Sequence, residues 1–367
     1  MENKTISARN MGSLIVIIAL CATVLAGGGT AGNNAWISVV IAMFCAIPLV
    51  LIYSRILKLF PGEGIFEITK NLFGKIGGAV VAVLFSLYAV FVGSLVLYNF
   101  SEYTIMIALK STPKAAIMIF ILIVALYLAG SSIHNIGRWA LIILIVVIFN
   151  QLFTLFLSLG YIDISNFKPV LDEGLKPVLS DALSFGVIAF GETALVMCMF
   201  ISFRKGDKPK NAYLGGILFA AAILLFVVVR NILVLGEEMF KAADYPSYSA
   251  TRVIHFGSFI EHIESLISFN MILIGVTKVA ACIRSASMGV CSVIKKPDNK
   301  IVLIITGVLT FCIGFTVFKN IQEVFKIIEI YRYAALFFVV LIPLVVWITA
   351  EIKVRKENRV MRMLKSG

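Results

Sequence analysis

Apolar residues run along this chain in long stretches, separated by short segments rich in glycine, proline and charge. Ten stretches stand out, at 11–31, 36–53, 78–100, 114–130, 139–160, 182–203, 212–235, 256–283, 301–318 and 331–350. A helix needs about 20 apolar residues to cross a bilayer. The pattern therefore predicts an all-α integral membrane protein with ten transmembrane helices. The connections are short, so a single transmembrane domain over 1–367 is expected. Lys4 and Arg9 give the first stretch a basic flank, as in a signal peptide. It lacks a small-residue cleavage site and further spans follow it, so it reads as a retained helix.

Ten spans divide into two sets of five, about 10–160 and 182–350, followed by a tail at 351–367. An odd number per set makes the second set enter from the opposite side. That is the inverted-repeat geometry of many secondary transporters, in which the first helix of each repeat is discontinuous. The first helix carries LCATVLAGGGTAGNN (20–34), which ends in a glycine run. The sixth carries SFGVIAFGETALVMCMF (184–200), with Gly186 and Gly191 just before Glu192. Glycine weakens a helix interior, so helices 1 and 6 are expected to be interrupted. Glycine also serves close helix packing in membranes, which would account for the same residues without an interruption.

Composition agrees with the pattern: 60% of residues are hydrophobic and 14% charged, against roughly 45–50% and 25% in soluble domains. The net charge of +12 invites a nucleic-acid reading, but its distribution opposes that. The excess falls almost entirely on the side of the membrane that holds both termini, including RKGDKPK (204–210) and KVRKENRVMRMLK (353–365). By the positive-inside rule that side is the cytoplasm. The two basic segments read mainly as topology signals, with anionic lipid or a protein partner as a secondary role.

Glu192 is the leading candidate for chemistry. A charge at the bilayer centre costs about +2.5 to +3.5 kcal/mol on insertion scales, and intramembrane ionisable residues mark function by default. It reads as a contact for a ligand ammonium group, as a proton-coupling site, or as a protonated packing residue. In the eighth span, Glu261, Glu264, Ser265, Ser268 and Gly275 share one helical face. That stripe is either the wall of an aqueous site or a hydrogen-bonded seam between helices. Cys21 and Thr23 lie near the middle of helix 1. If that helix is broken, freed amides there favour an anion; in an unbroken helix Thr23 bonds back to its own backbone, the plainer reading. Arg230 and Lys278 fall near predicted helix ends, where snorkelling to the interface explains them. Trp36, Trp139 and Trp347 sit near span ends, as interfacial anchors do. The six cysteines lie in or beside spans without metal-type spacing and read as small buried hydrophobes. His262 falls off the glutamate face, so EHIE is not read as a metal site. No phosphate loop, nucleophile elbow or HExxH motif is present, so no enzyme, metal or cofactor is expected.

The chain resembles the endospore germination permease family, the B subunits of bacterial spore germinant receptors. The resemblance rests on NAWISV (34–39), LFPGEGIFEITKNLFGKIGG (59–78), STP (111–113), GRWA (137–140), FKPVLDEGLKPVL (167–179), FGE (190–192), VLG (234–236), YPSYSATRVI (245–254) and FIEHIES (259–265), in that order. It implies a branch of the amino acid–polyamine–organocation superfamily with a leucine-transporter-like fold. It further implies a spore inner membrane location, an A-type partner subunit and a C-type lipoprotein partner. A small germinant, often an amino acid, would bind between broken helices 1 and 6. Carried onto this chain, the ligand-binding residues would be Cys21, Ala22 and Thr23 with Gly186, Phe190, Gly191 and Glu192. Glu261 and Glu264, in the polar helix-8 stripe with Ser265 and Ser268, would match the family's acidic–basic–x–acidic pattern. Three departures stand out: Cys21 for a glycine, Asn34 for an aspartate and His262 for an arginine. The first would narrow the pocket; the last would weaken an ion pair or make it pH-dependent. An autonomous proton-coupled amino acid importer, with Glu192 as proton carrier, is the competing expectation. A scaffold that only assembles the receptor is a third.

Overall fold

The computed structural model describes residues 5–21, 29–107, 109, 111–199, 203, 206–254, 264–296 and 299–366, with the backbone alone for Glu264 and 358–366. Helix α1 covers Ala8–Leu20 and starts at Ser7, whose hydroxyl accepts the Asn10 amide, as an N-cap should. After a 3₁₀ turn at Gly32–Asn34 come α2 (Ala35–Leu59), α3 (Ile65–Ile107), α4 (Lys114–Ala129) and α5 (Ile133–Ser158). The second half starts with α6 (Leu175–Ser184), which passes through a π turn at Phe185–Phe190 and a 3₁₀ turn at Gly191–Thr193 into α7 (Ala194–Met199). Then follow α8 (Pro209–Ala242), the short α9 (Pro246–Arg252), α10 (Glu264–Ile294), α11 (Lys300–Val317) and α12 (Ile321–Leu336). A second π turn, Phe337–Leu341, links α12 to α13 (Ile342–Ser366).

Among the described residues, eight helices are long and apolar enough to cross a membrane, and Ala8–Leu20 and Lys114–Ala129 are shorter apolar helices. Several spans run beyond the hydrophobic stretches that announce them. Helix α3 starts before residue 78 because Gly74 takes φ +76° and joins a short amphipathic helix, with Ile65, Phe66 and Ile68 buried, to the span. Helix α8 bends likewise at Gly236, φ +70°; a side chain there would be strained. Helix α10 continues past 283 to Ile294, about three turns beyond the predicted end.

The corresponding helices of the two halves meet at the centre of the molecule. The second helices of the two halves, α2 and α8, pack together, as do the third helices, α3 and α10. Helix α1 packs against α8 and touches the pitch change between α6 and α7. Large apolar side chains such as Phe44, Phe120, Phe149, Phe156 and Ile301 are exposed around this core, as expected of a lipid-facing belt. Cys45 and Cys312 belong to that exposed surface, contrary to the expectation that all six cysteines are buried.

The chain enters α2 through a contact with α6. The Asp181 carboxylate accepts the Thr30 and Ala31 amides at 3.1 and 2.8 Å and the Thr30 hydroxyl at 2.9 Å. Asp181 is buried, so its removal leaves donors unpaired. Asp181→Ala should lower stability by roughly 2–3 kcal/mol, measured by thermal unfolding in detergent; an unchanged transition would show that this contact does not hold the two segments together.

Candidate functional site

Helix six changes pitch rather than breaking. The Gly191 amide donates to the carbonyls of both Gly186 and Val187, the bifurcated bonding of a π bulge, and such bulges recur at functional sites. The winding tightens at once into a 3₁₀ turn, where the Thr193 hydroxyl donates to the Phe190 carbonyl at 2.5 Å. Glu192 lies inside that turn. Gly191 is needed by space: a Cβ there would stand 2.9 Å from Cγ2 of Val339. Val339 belongs to the second π turn, so the two irregular turns face each other. The Tyr53 hydroxyl of α2 lies between them, donating to the Val339 carbonyl and standing 3.4 Å from the Gly191 carbonyl.

Glu192 has two partners. Its Oε2 lies 2.5 Å from Nζ of Lys278, and both side chains are 1% exposed. Its Oε1 accepts the Tyr331 hydroxyl at 2.6 Å. The Tyr88 and Tyr331 oxygens are 3.1 Å apart. Tyr331 has one proton and gives it to the carboxylate, so Tyr88 is the donor between the two rings. The Glu192–Lys278 contact is a close charge pair, and among the described residues no other acceptor meets the ammonium. Cys21, at the inner end of α1, and Cys282, one turn from Lys278, lie within electrostatic reach of both charges. Phe338 stacks on Tyr88 with ring centroids 4.5 Å apart and closes the aromatic side.

Helices α1, α3, α6–α7, α10 and α12 thus converge on one buried ion pair. Of the expected site residues, Cys21, Phe190, Gly191 and Glu192 are brought together. Gly186 is one π turn away and takes part through its carbonyl. Ala22, Thr23, Glu261 and His262 lie outside the described residues, as does the side chain of Glu264. The expected stripe on α10 does not hold as one face: Ser265 is exposed, whereas Ser268 is 3.1 Å from the Tyr103 hydroxyl in a contact with α3.

Two assignments are corrected. Lys278 does not snorkel: it is fully buried and holds Glu192. Arg230 is also buried. Its guanidinium donates to Thr154 at 2.9 Å, to Gln151 at 3.3 Å and to Asn231 at 2.6 Å. Both were placed near helix ends because the sequence understates where α8 and α10 stop. Tyr331 and Tyr88 carry no sequence signal of their own, and Lys278 carries one that points to the pair. Glu264, Ser268, Gly275, Lys278, Cys282 and Ser285 follow the spacing of three and four that places residues on one helix side.

A separate cavity of about 330 Å³ opens on the face opposite the termini, lined among others by Asp181, Ser184, Phe185, Ile328, Glu329 and Arg332. Glu192, Lys278 and Tyr331 do not line it. Phe185 precedes Glu192 by two turns, and Ile328 precedes Tyr331 by one, so the cavity approaches the pair along the same two helices.

These features define a multi-span helical membrane protein of the inverted-repeat transporter class, with a charge pair at the pitch change of its sixth helix. The chain belongs to the spore germination protein family, whose model matches residues 5–324. Spore germination protein KB of Bacillus subtilis (strain 168) is 24% identical over 98% of this chain and 98% of its own length. Spore germination protein YndE of the same organism is 25% identical over 90% of each chain. Among solved structures, a nucleobase-cation-symport-1 family transporter, closed with bromovinylhydantoin bound, superposes with a TM-score of 0.67 at 14% identity, covering 91% of this chain and 76% of the other. A substrate-bound, outward-open Na⁺-coupled sialic acid symporter gives 0.62 at 13% identity, covering 90% and 77%.

Removing one member of a buried pair costs about 3–5 kcal/mol because the other charge is left alone. Glu192→Gln and Lys278→Met should each destabilise by that amount. The double variant should recover most of the loss. Thermal unfolding of the four proteins in one detergent measures this, and additive losses would show that the two charges are not coupled.

Proposed function

We propose that this chain is a B-type subunit of a spore germinant receptor that binds an amino acid at the Glu192–Lys278 pair. The observation that carries this reading is the pair itself, buried where helix six changes pitch and beside the end of α1. A buried carboxylate next to a buried ammonium is an internal substitute for a zwitterion. An amino acid entering between them exchanges partners without leaving any charge alone: its ammonium meets Glu192 and its carboxylate meets Lys278, whose N–H groups have no other acceptor among the described residues. A ligand with only one charge would strand one of the two. Cys21 narrows the space on the α1 side and favours a small side chain.

Binding would separate Glu192 from Lys278 and so change what holds α6–α7 to α10 and α12. A ligand shifts a conformational equilibrium only by its difference in affinity for the two states. Here that difference arises from exchanging an internal ion pair for two ligand contacts. In this reading the change passes to an A-type subunit and a C-type lipoprotein in the spore inner membrane, with both termini in the cytoplasm. The relatives' names support the germination context, and the basic face supports the orientation.

A second reading, proton-coupled amino acid import with Glu192 as proton carrier, is favoured by the fold shared with coupled symporters. Proteoliposomes holding this chain alone separate the two. Saturable binding of radiolabelled amino acid without accumulation is the expected result. Accumulation driven by a proton gradient would make the chain an importer. In the same vesicles the amide and the des-amino analogue of a bound amino acid should each bind about 100-fold more weakly or worse, since each strands one buried charge. Equal binding of all three would remove the pair from the site.

A further inference from the structure

On the face that carries the termini lies a groove of about 1060 Å³ between the end of α2, the start of α8 and α13. Its walls are apolar: Pro48, Leu51, Ile52, Leu57, Phe203 and Trp347. Its rim is basic, with Arg55, Lys58, Lys208 and Lys210 lining it alongside Asp207 and Glu351. The two carboxylates are already engaged. Asp207 accepts the Ala8 amide at 3.0 Å, capping α1, and Glu351 accepts Arg55 Nε at 2.6 Å. Lys58, Lys208 and Lys210 are exposed, and among the described residues none has a carboxylate within ion-pair distance.

An apolar cleft crowned by three unneutralised ammonium groups, at the end of the hydrophobic spans, matches one kind of occupant. We infer that the groove holds an anionic phospholipid of the leaflet at this face, its acyl chain along Leu51, Ile52 and Trp347 and its phosphate among Lys58, Lys208 and Lys210. A zwitterionic lipid would fill the same walls but bring its own cation to the lysines. A helix lying in the groove would satisfy the walls but would need several acidic residues at one end to answer the rim. The groove is separate from the Glu192–Lys278 pair, so this assignment does not depend on the ligand proposed there. It gives RKGDKPK (204–210) a binding task beyond setting topology: Lys208 and Lys210 neutralise a headgroup.

Trp347 provides the readout, because bromine on an acyl chain quenches a tryptophan it touches. The full chain is placed in nanodiscs of phosphatidylcholine with a minor share of brominated lipid, either phosphatidylglycerol or phosphatidylcholine. The Trp347 component is the difference between the wild-type protein and Trp347→Phe. Brominated phosphatidylglycerol should quench that component more strongly than brominated phosphatidylcholine at equal content. Attraction near a membrane surface changes partitioning by about five-fold per lysine. Lys58→Gln/Lys208→Gln/Lys210→Gln should therefore abolish the preference while leaving quenching by phosphatidylcholine in place. Equal quenching by the two lipids in the wild-type protein would reduce the groove to ordinary lipid contact and overturn the proposal. Absence of quenching by either would mean that protein fills the groove, which overturns it as well. The wild-type comparison needs no variant at the rim, so the test stands even where the triple variant does not fold.

Discussion

A charge buried in a membrane protein needs polar partners, and at the centre of this molecule Glu192 and Lys278 meet that requirement in each other. Glu192 and Lys278 come from opposite ends of the second repeat's core, one on a tightened turn and the other mid-way along a 31-residue helix. Neither would tolerate its position alone. Their contact fixes the rotation of α10 about its axis. That rotation also places Asn270 against Asn150, Thr277 against Trp139 and Ser285 against the Leu195 carbonyl, at 2.8, 3.0 and 2.9 Å. The polar side of α10 is thus one continuous set of contacts with its neighbours, and the ion pair is its most demanding member.

Much of the fold is legible in the sequence because the bilayer permits few solutions. Every backbone polar group must be paired within its own helix, so a long apolar stretch has one reading. The five-plus-five division follows from counting, and the family resemblance from the order of nine short motifs. Glu192 announces itself as a carboxylate in an apolar run. Helix ends are less legible, because an amphipathic extension such as 284–294 of α10 or the turn before residue 78 in α3 has no hydrophobic signature of its own. That uncertainty was enough to misplace Lys278. With the predicted end at 283 it reads as a residue near the interface; with the observed end at Ile294 it lies more than four turns inside the helix.

Pairing between helices is less legible still. Tyr331 and Tyr88 lie in different repeats, and nothing local to either marks it as a partner of Glu192. The same holds for Tyr53, whose hydroxyl serves carbonyls on two other helices. Glycine gave a partial signal. Gly191 was read as weakening a helix, and it does stand at a change of winding, yet its more specific role is to let Val339 approach. The interruption expected in helix six is expressed as a change of pitch, which keeps the backbone hydrogen-bonded while turning Glu192 inward; the one expected in helix one falls on 22–28, outside the described residues.

The two π turns at Phe185–Phe190 and Phe337–Leu341 carry a mechanical implication. A π turn holds one residue more than the regular coil, like slack in a rope. Taking up that slack would advance the chain beyond it by about 1.5 Å and rotate it by about 100°. In the second turn the portion beyond is α13, which ends at Ser366 on the basic face. Tyr331 lies just ahead of that turn and Trp347 just behind it. A change of grip on the Glu192 carboxylate could therefore be converted into screw motion of the last helix, so that an event in the middle of the membrane is delivered at its surface by one continuous rod.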